Sequence, residues 1–270
     1  MVNLKNYVVS DDFSHHKEEF YRTFEIIKAH TTFKDKMILN LCSGAGLHTG
    51  FLVRNGAQVI GVDLLDYETL WGGNFKEKLL EIFRNNNEPF DGSKCQFIRM
   101  NAEDLLFKDE LFDFVYCINA FEHVQDPSNV LLEIWRVLKP GGFAFIQFDP
   151  LYYCDTGSHM FDFFPEPWGH LVYSEDEYIQ KIRAANCPEE MIQDFRSGLN
   201  RKGRNYFINL FALFTEKKLQ IFEKKVSYEW SGITNPTFMK HNNYERLQKI
   251  YPKEDLLFRG MNILLQKILN

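Results

Sequence analysis

Five short apolar runs between residues 37 and 148, separated by amphipathic stretches, restrict this chain more than any other feature. They are Met37-Ile38-Leu39-Asn40-Leu41, Gln58-Val59-Ile60-Gly61-Val62, Gln96-Phe97-Ile98-Arg99-Met100, Phe112 to Ile118 and Phe143 to Phe148. Each is near-continuous and rich in β-branched or aromatic residues, as strands buried on both faces of a parallel sheet are. The stretches between them can hold helices. Asn129 to Leu138 places Val130, Ile134, Val137 and Leu138 on one face, and Lys139-Pro140-Gly141-Gly142 then stops it. Strand–helix alternation of this kind predicts a doubly wound α/β sheet.

The remainder is less regular. Residues 150 to 174 are dense in aromatic residues, Pro, Gly and His, and residues 187 to 215 read as a helical insertion. Leu219 to Trp230 and Phe258 to Ile268 read as two late strands able to pair antiparallel at one side of the sheet. The expectation is a mostly parallel seven-stranded sheet with an antiparallel late strand and loop and helical insertions. One domain covers 1–270, divided into a core (36–148), an insertion (149–215) and final strands (218–270).

Charge and cysteine content narrow the function classes. A net charge of −6 leaves little to gain from phosphate neutralisation, so no nucleic-acid partner is expected. The five cysteines are odd in number and lack CxxC spacing, which argues against a disulfide framework and a structural zinc site. No apolar run is long enough to span a bilayer, and the first residues carry no apolar signal core. A soluble protein of the reducing cytoplasm is expected.

The chemistry begins at Ile38-Leu39-Asn40-Leu41-Cys42-Ser43-Gly44-Ala45-Gly46, an apolar strand running into small residues and then a helix from about Leu47. Small residues let the backbone approach a ligand, and the helix start behind them favours an acceptor group. A plain strand-to-helix turn fits the same residues. Asp63 ends the second run at the spacing of an acid that binds both ribose hydroxyls. A nicotinamide dinucleotide fits less well: its fingerprint wants a glycine where Thr49 stands, and Gly50 is one step out of place.

Residues 36 to 148 resemble the class I S-adenosylmethionine-dependent methyltransferases, of the broad type that includes ubiquinone-pathway O-methyltransferases. The matching pieces are Leu39 to Gly46, Val62-Asp63, Asn101-Ala102-Glu103-Asp104-Leu105, Phe112-Asp113-Phe114-Val115, Phe121-Glu122-His123-Val124, Asp126-Pro127 and Arg136 to Gly142. The resemblance implies S-adenosylmethionine as cofactor, with Ser43, Gly44, Ala45 and Gly46 around its methionine end. Asp63 would hold the ribose, Leu64 would pack on the adenine, Asn101 and Ala102 would meet its edge, and Asn119 would pass beneath the methionine. The stretch His16 to His30 would be a helix across the cofactor mouth. The chain departs from the family in having Asn40 and Asn101 where an acid is usual and Cys42 where glycine is usual. Asn40 is the departure that weakens contact with the cofactor's ammonium group, and a descendant that no longer binds cofactor fits the same changes.

A hydroxyl acceptor needs a base, and histidine suits that task near neutral pH. His123 follows the fourth run. His159 and His170 lie in the segment from Asp149 to His170, which should overhang the crevice at the strands' carboxyl ends. Its Tyr152, Tyr153, Trp168 and Asp155 fit a polar ring such as a sugar, and the segment is loosely similar to loops of surface-glycan methyltransferases. A packed loop whose histidines only satisfy backbone groups is the alternative. Glu122, His123, His159 and His170 form a candidate divalent-metal set. The expected reaction is O-methylation of a small polar acceptor, a sugar or phosphorylated metabolite. N-methylation and a non-catalytic cofactor-binding partner protein stand beside it.

Overall fold

A computed structural model describes residues 10–216, 219–231 and 237–269. In chain order the main elements are α1 (Ser10–Ile27), β1 (Met37–Leu41), α2 (Leu47–Arg54), β2 (Gln58–Asp63), α3 (Tyr67–Leu70), α4 (Phe75–Asn85), β3 (Cys95–Arg99), β4 (Phe112–Ile118), α5 (Pro127–Val137) and β5 (Leu138–Phe148). They continue with α6 (Gly169–Val172), α7 (Glu175–Ala184), α8 (Glu189–Ser197), α9 (Arg204–Thr215), β6 (Phe222–Ser231), α10 (Asn242–Leu247), α11 (Lys253–Leu257) and β7 (Phe258–Lys267).

The seven strands form one sheet in the order β3-β2-β1-β4-β5-β7-β6. β1 to β5 are parallel, while β7 runs antiparallel to both β5 and β6. The expected mixed, mostly parallel sheet is therefore present, with its late pair at one edge. Strand order reverses between β1 and β4, which opens a crevice beyond their carboxyl ends.

Several boundaries differ from the sequence reading. Helix α5 starts at Pro127, where Asp126 caps it by accepting from the Ser128 and Asn129 amides. β5 begins at Leu138, so Lys139-Pro140-Gly141-Gly142 lies within the strand. A register shift between Phe112 and Phe114 absorbs the irregularity. The helical insertion is broken between α8 and α9 and preceded by α7. No helix among the described residues is long and apolar enough to cross a membrane.

Helix α1 starts earlier than expected, at Ser10, and packs on α2 through Phe13 and Phe20, which with Ile27 are buried at seven-residue spacing. Phe20 lies against Phe51 at 5.4 Å, and Thr23 Oγ1 shares a 2.7 Å hydrogen bond with the buried Tyr116 hydroxyl. These contacts set α1 beside the crevice.

Helix α2 can sit close to α4 only because Gly50 has no side chain. A Cβ there would come within 2.3 Å of the Phe83 ring. Phe83 has no room to give, because Phe13, Phe51 and Phe90 surround it at 4.8–5.0 Å. Gly50→Ala should therefore destabilise the protein by about 1–3 kcal/mol through overpacking. Urea denaturation of the two proteins measures this, and equal midpoints would show that α2 shifts without cost.

Candidate active site

The turn between β1 and α2 is built from left-handed residues. Cys42, Gly44 and Gly46 have φ of 55°, 53° and 79°. An L-residue in that region costs about 1–2 kcal/mol, so Cys42 occupies a position where glycine sits freely. Gly46 tolerates no side chain, since a Cβ would meet Leu79 and Phe97 at 2.9 Å. The Ser43 amide donates to the Val62 carbonyl at 2.8 Å, tying the turn to β2.

Asp63, the last residue of β2, organises this turn. Its Oδ2 accepts from the Gly44 amide at 2.9 Å and its Oδ1 from the Leu65 amide at 3.0 Å. Burial raises its pKa, and these amides pull against that rise. Around it lies a groove of about 290 Å³, whose walls include Ser43, Gly44, Asp63, Leu65, Phe97 and Arg99. A Cβ on Gly61 would lie 2.8 Å from the Phe97 ring and 3.0 Å from Ser43 Oγ, so glycine keeps the groove floor open.

Some expected cofactor residues lie elsewhere. Leu64 is 61% exposed and Leu65 lines the groove instead, because the chain reverses direction through the amide bond that Asp63 accepts from Leu65. Asn40 is buried beneath the turn and donates to Thr49 Oγ1 at 2.8 Å, so its amide group clasps α2. Asn101 is exposed beyond β3, and its Oδ1 accepts from the Glu103 amide at 3.0 Å; Ala102 beside it is buried. Neither belongs to the groove lining. Asn119, the residue after β4, has φ 51° and donates through Nδ2 to Glu19 Oε1 at 3.1 Å.

Glu19 is the residue that the sequence reading missed. It comes from α1, is 4% exposed, and accepts through Oε1 from both Asn119 and Gln147, at the ends of β4 and β5. Burial opposes its ionisation, but His16, His48 and the Asn119 amide outweigh that and hold it well below the usual carboxylate range. Nothing in His15-His16-Lys17-Glu18-Glu19 separates it from a solvated helix face; only the packing of α1 does.

On the other side of the crevice, donor atoms of Glu122, His123 and His159 lie within 4.8 Å of one another. The two imidazoles meet edge to face, with centroids 5.1 Å apart. Asn200 fixes the turn that carries Glu122 and His123: its side-chain amide donates to the Phe121 and Val124 carbonyls at 2.6 and 2.8 Å, and its backbone amide to the Glu122 carbonyl. Both Glu122 carboxyl oxygens are buried without a hydrogen-bond partner among the described residues, and burial pushes its pKa well up. His159 faces the Pro150 carbonyl through Nε2 at 3.4 Å, and His123 faces the Gly198 carbonyl through Nδ1 at 3.2 Å. Burial lowers the His159 pKa to about 4, so its ring is neutral at pH 7.

His170 does not join this group, which corrects the expected four-residue set. Its Nε2 lies 2.6 Å from the Tyr152 carbonyl, and it lines a separate cavity of about 360 Å³ with Tyr152, Tyr153 and Arg201. None of Glu122, His123 and His159 lines that cavity. Trp168 is no pocket wall either. It is fully buried, donates to the Leu256 carbonyl and packs on Tyr244. Asp155 is buried too, with Oδ1 on the Thr156 amide and its carbonyl on the Trp168 amide. This half of the segment behaves as packed structure.

Comparison with known proteins bears on the family and the fold. Residues 39–146 match the family model described as a methyltransferase domain. The chain is 28% identical over 181 residues to ubiquinone biosynthesis O-methyltransferase of Coxiella burnetii, a match covering 64% of this chain and 66% of the relative, just under two thirds. It is 34% identical over 105 residues to demethylmenaquinone methyltransferase of Clavibacter sepedonicus, covering 39% of this chain and 38% of the relative. Its architecture is similar to that of the PH0226 protein from Pyrococcus horikoshii OT3, with TM-score 0.53 and 17% identity over 96% of this chain and 93% of that one.

The buried imidazole of His170 carries a pH signature. Its pKa falls from 6.5 to about 4, mainly through burial. Between those values the unfolded chain binds more protons than the fold. The neutral ring therefore contributes stability that is complete above about pH 6.5 and is lost as pH falls towards 4. His170→Gln keeps a donor for the Tyr152 carbonyl and removes the titration. The stability difference between wild type and variant should shrink by on the order of 3 kcal/mol from pH 7 to pH 4. Denaturation at several pH values tests it, and a constant difference would mean that His170 gains its proton equally well when folded.

Proposed function

Because the chain belongs to the class I S-adenosylmethionine-dependent methyltransferases, we propose that it transfers a methyl group from that cofactor to a hydroxyl of a small acceptor. The observation that carries this reading is the pair of imidazoles, His123 and His159, beside the crevice that the glycine turn borders. The open floor at Gly61 and the tight turn at Gly44 and Gly46 fit the cofactor. The cofactor supplies a methyl group already activated on a positively charged sulfur.

In this reading Ser43, Gly44, Ala45 and Gly46 wrap the methionine end and Asn119 supports it from below. Asp63 takes the ribose hydroxyls with the lone pairs left after its two amide bonds. Leu65, rather than Leu64, covers one face of the base, while Asn101 and Ala102 stand at its edge. The protein's remaining tasks are to exclude water, orient the acceptor and take its proton. With Nε2–H directed at the Pro150 carbonyl, His159 keeps Nδ1 as an acceptor; with Nδ1–H directed at Gly198, His123 keeps Nε2. A base so placed contributes roughly 10²–10⁴-fold.

The O-methyltransferase name of the Coxiella relative supports oxygen as the target. Neither relative's name points to a sugar, and the burial of Trp168 removes one wall that favoured it. The acceptor is therefore proposed only as a small hydroxyl compound. One observation favours a second reading of the same group: the two unpartnered oxygens of Glu122 would suit a divalent ion held with His123 and His159.

Calorimetry should show S-adenosylhomocysteine binding, weakened by about 1–3 kcal/mol in Asp63→Ala, the range for losing a charged hydrogen-bond acceptor. Absence of binding in the wild type would overturn the cofactor assignment. With labelled S-adenosylmethionine and a panel of phenols, alcohols and amines, His159→Ala or His123→Ala should lower turnover by about 10²–10⁴-fold while leaving cofactor affinity unchanged. Undiminished turnover in both variants would select an amine acceptor, which needs no base. Loss of turnover on chelation in wild type, restored by manganese or magnesium, would select the metal reading.

A further inference from the structure

Helices α1 and α2 bring together another polar group, made of residues other than Glu122, His123 and His159. Glu19 Oε2 lies 3.3 Å from His48 Nε2 and 3.8 Å from His16 Nδ1, and all three atoms fall within 4.8 Å of one another. Each of these atoms is buried and, beyond these ion-pair contacts, has no hydrogen-bond partner among the described residues. Three converging, desolvated polar atoms with only one another as partners are costly unless something sits between them. We infer that His16, Glu19 and His48 form a binding site for one divalent transition-metal ion, which clamps α1 to the head of α2.

The geometry and chemistry agree. Around an ion with bonds of 2.0–2.2 Å, tetrahedral ligand atoms stand about 3.3 Å apart, close to the spacing already present. Two imidazoles and one carboxylate suit zinc, cobalt or iron(II) better than calcium or magnesium. His16 and Glu19 are three residues apart on α1 and so share one face. The second oxygen of Glu19 is fixed by Asn119 Nδ2 and Gln147 Nε2, which aim the carboxylate as outer-shell partners of metal ligands do.

The position gives the ion a structural task. His48 is the second residue of α2, directly after the glycine turn, and Asn119 directly follows β4. A metal here would hold α1 against both borders of the crevice. It would be separate from the Glu122 group, with which it shares no ligand.

The test uses untagged full-length protein freed of metal by chelation. Cobalt(II) and zinc are titrated by calorimetry, and the visible cobalt bands report coordination number. One equivalent should bind and raise the melting temperature. His16→Ala, at a partly exposed position, and Glu19→Gln should each weaken that binding by at least about 100-fold, beyond the 10–100-fold cost of losing an outer partner. Glu122→Gln should leave it unchanged. Circular dichroism confirms that the variants are folded. No stoichiometric binding in the wild type, binding that persists in folded His16→Ala, or binding abolished by Glu122→Gln would each overturn the inference.

Discussion

The parallel pairing of β1 with β4 is the contact on which the rest of the site depends. Leu39 pairs with Val115 and Leu41 with Cys117. From that seam the chain leaves β1 into the turn of Cys42 to Gly46, and leaves β4 into Asn119 to His123. Both exits lie at the carboxyl ends, at the point where strand order reverses, so two loops distant in sequence border one crevice. The buried Tyr116 on β4 then reaches Thr23 on α1, and the same seam fixes where that helix lies.

Burial is the common cause of the electrostatics around this crevice. Desolvation is the largest single influence on Glu19, Asp63, Glu122, His159 and Asp149. It favours neutral forms of both acids and imidazoles, which leaves His159 a lone pair and makes Glu122 harder to ionise. Glu19 is the exception, because two imidazoles and an amide surround it. A low local dielectric strengthens every such interaction, so small changes in who faces whom decide protonation.

The segment after β5 divides between site and scaffold. Its first half sends His159 to His123. Its second half packs Trp168 against Tyr244 and Leu256, and seats His170 against the Tyr152 backbone. Helices α7 and α8 add a small core of their own around Tyr178, Ile182 and Phe195. The aromatic density that marked this region thus serves mainly to bury an insertion that the sheet cannot cover.

The sequence by itself determined the strands, their parallel class, the glycine turn and the placing of Asp63, because periodicity and small residues act over a few neighbours. It also placed the late antiparallel pair, whose two apolar runs stood apart from the strand–helix alternation. Only the tertiary structure decided which distant groups meet. Glu19 reaches Asn119 across 100 residues, His159 joins His123 while His170 does not, and Leu65 rather than Leu64 borders the groove. Those outcomes follow from the packing of α1, from where the chain turns after β2, and from which aromatic rings win a place in the core. Such competition for buried space is settled across the whole fold, and no local pattern carries it.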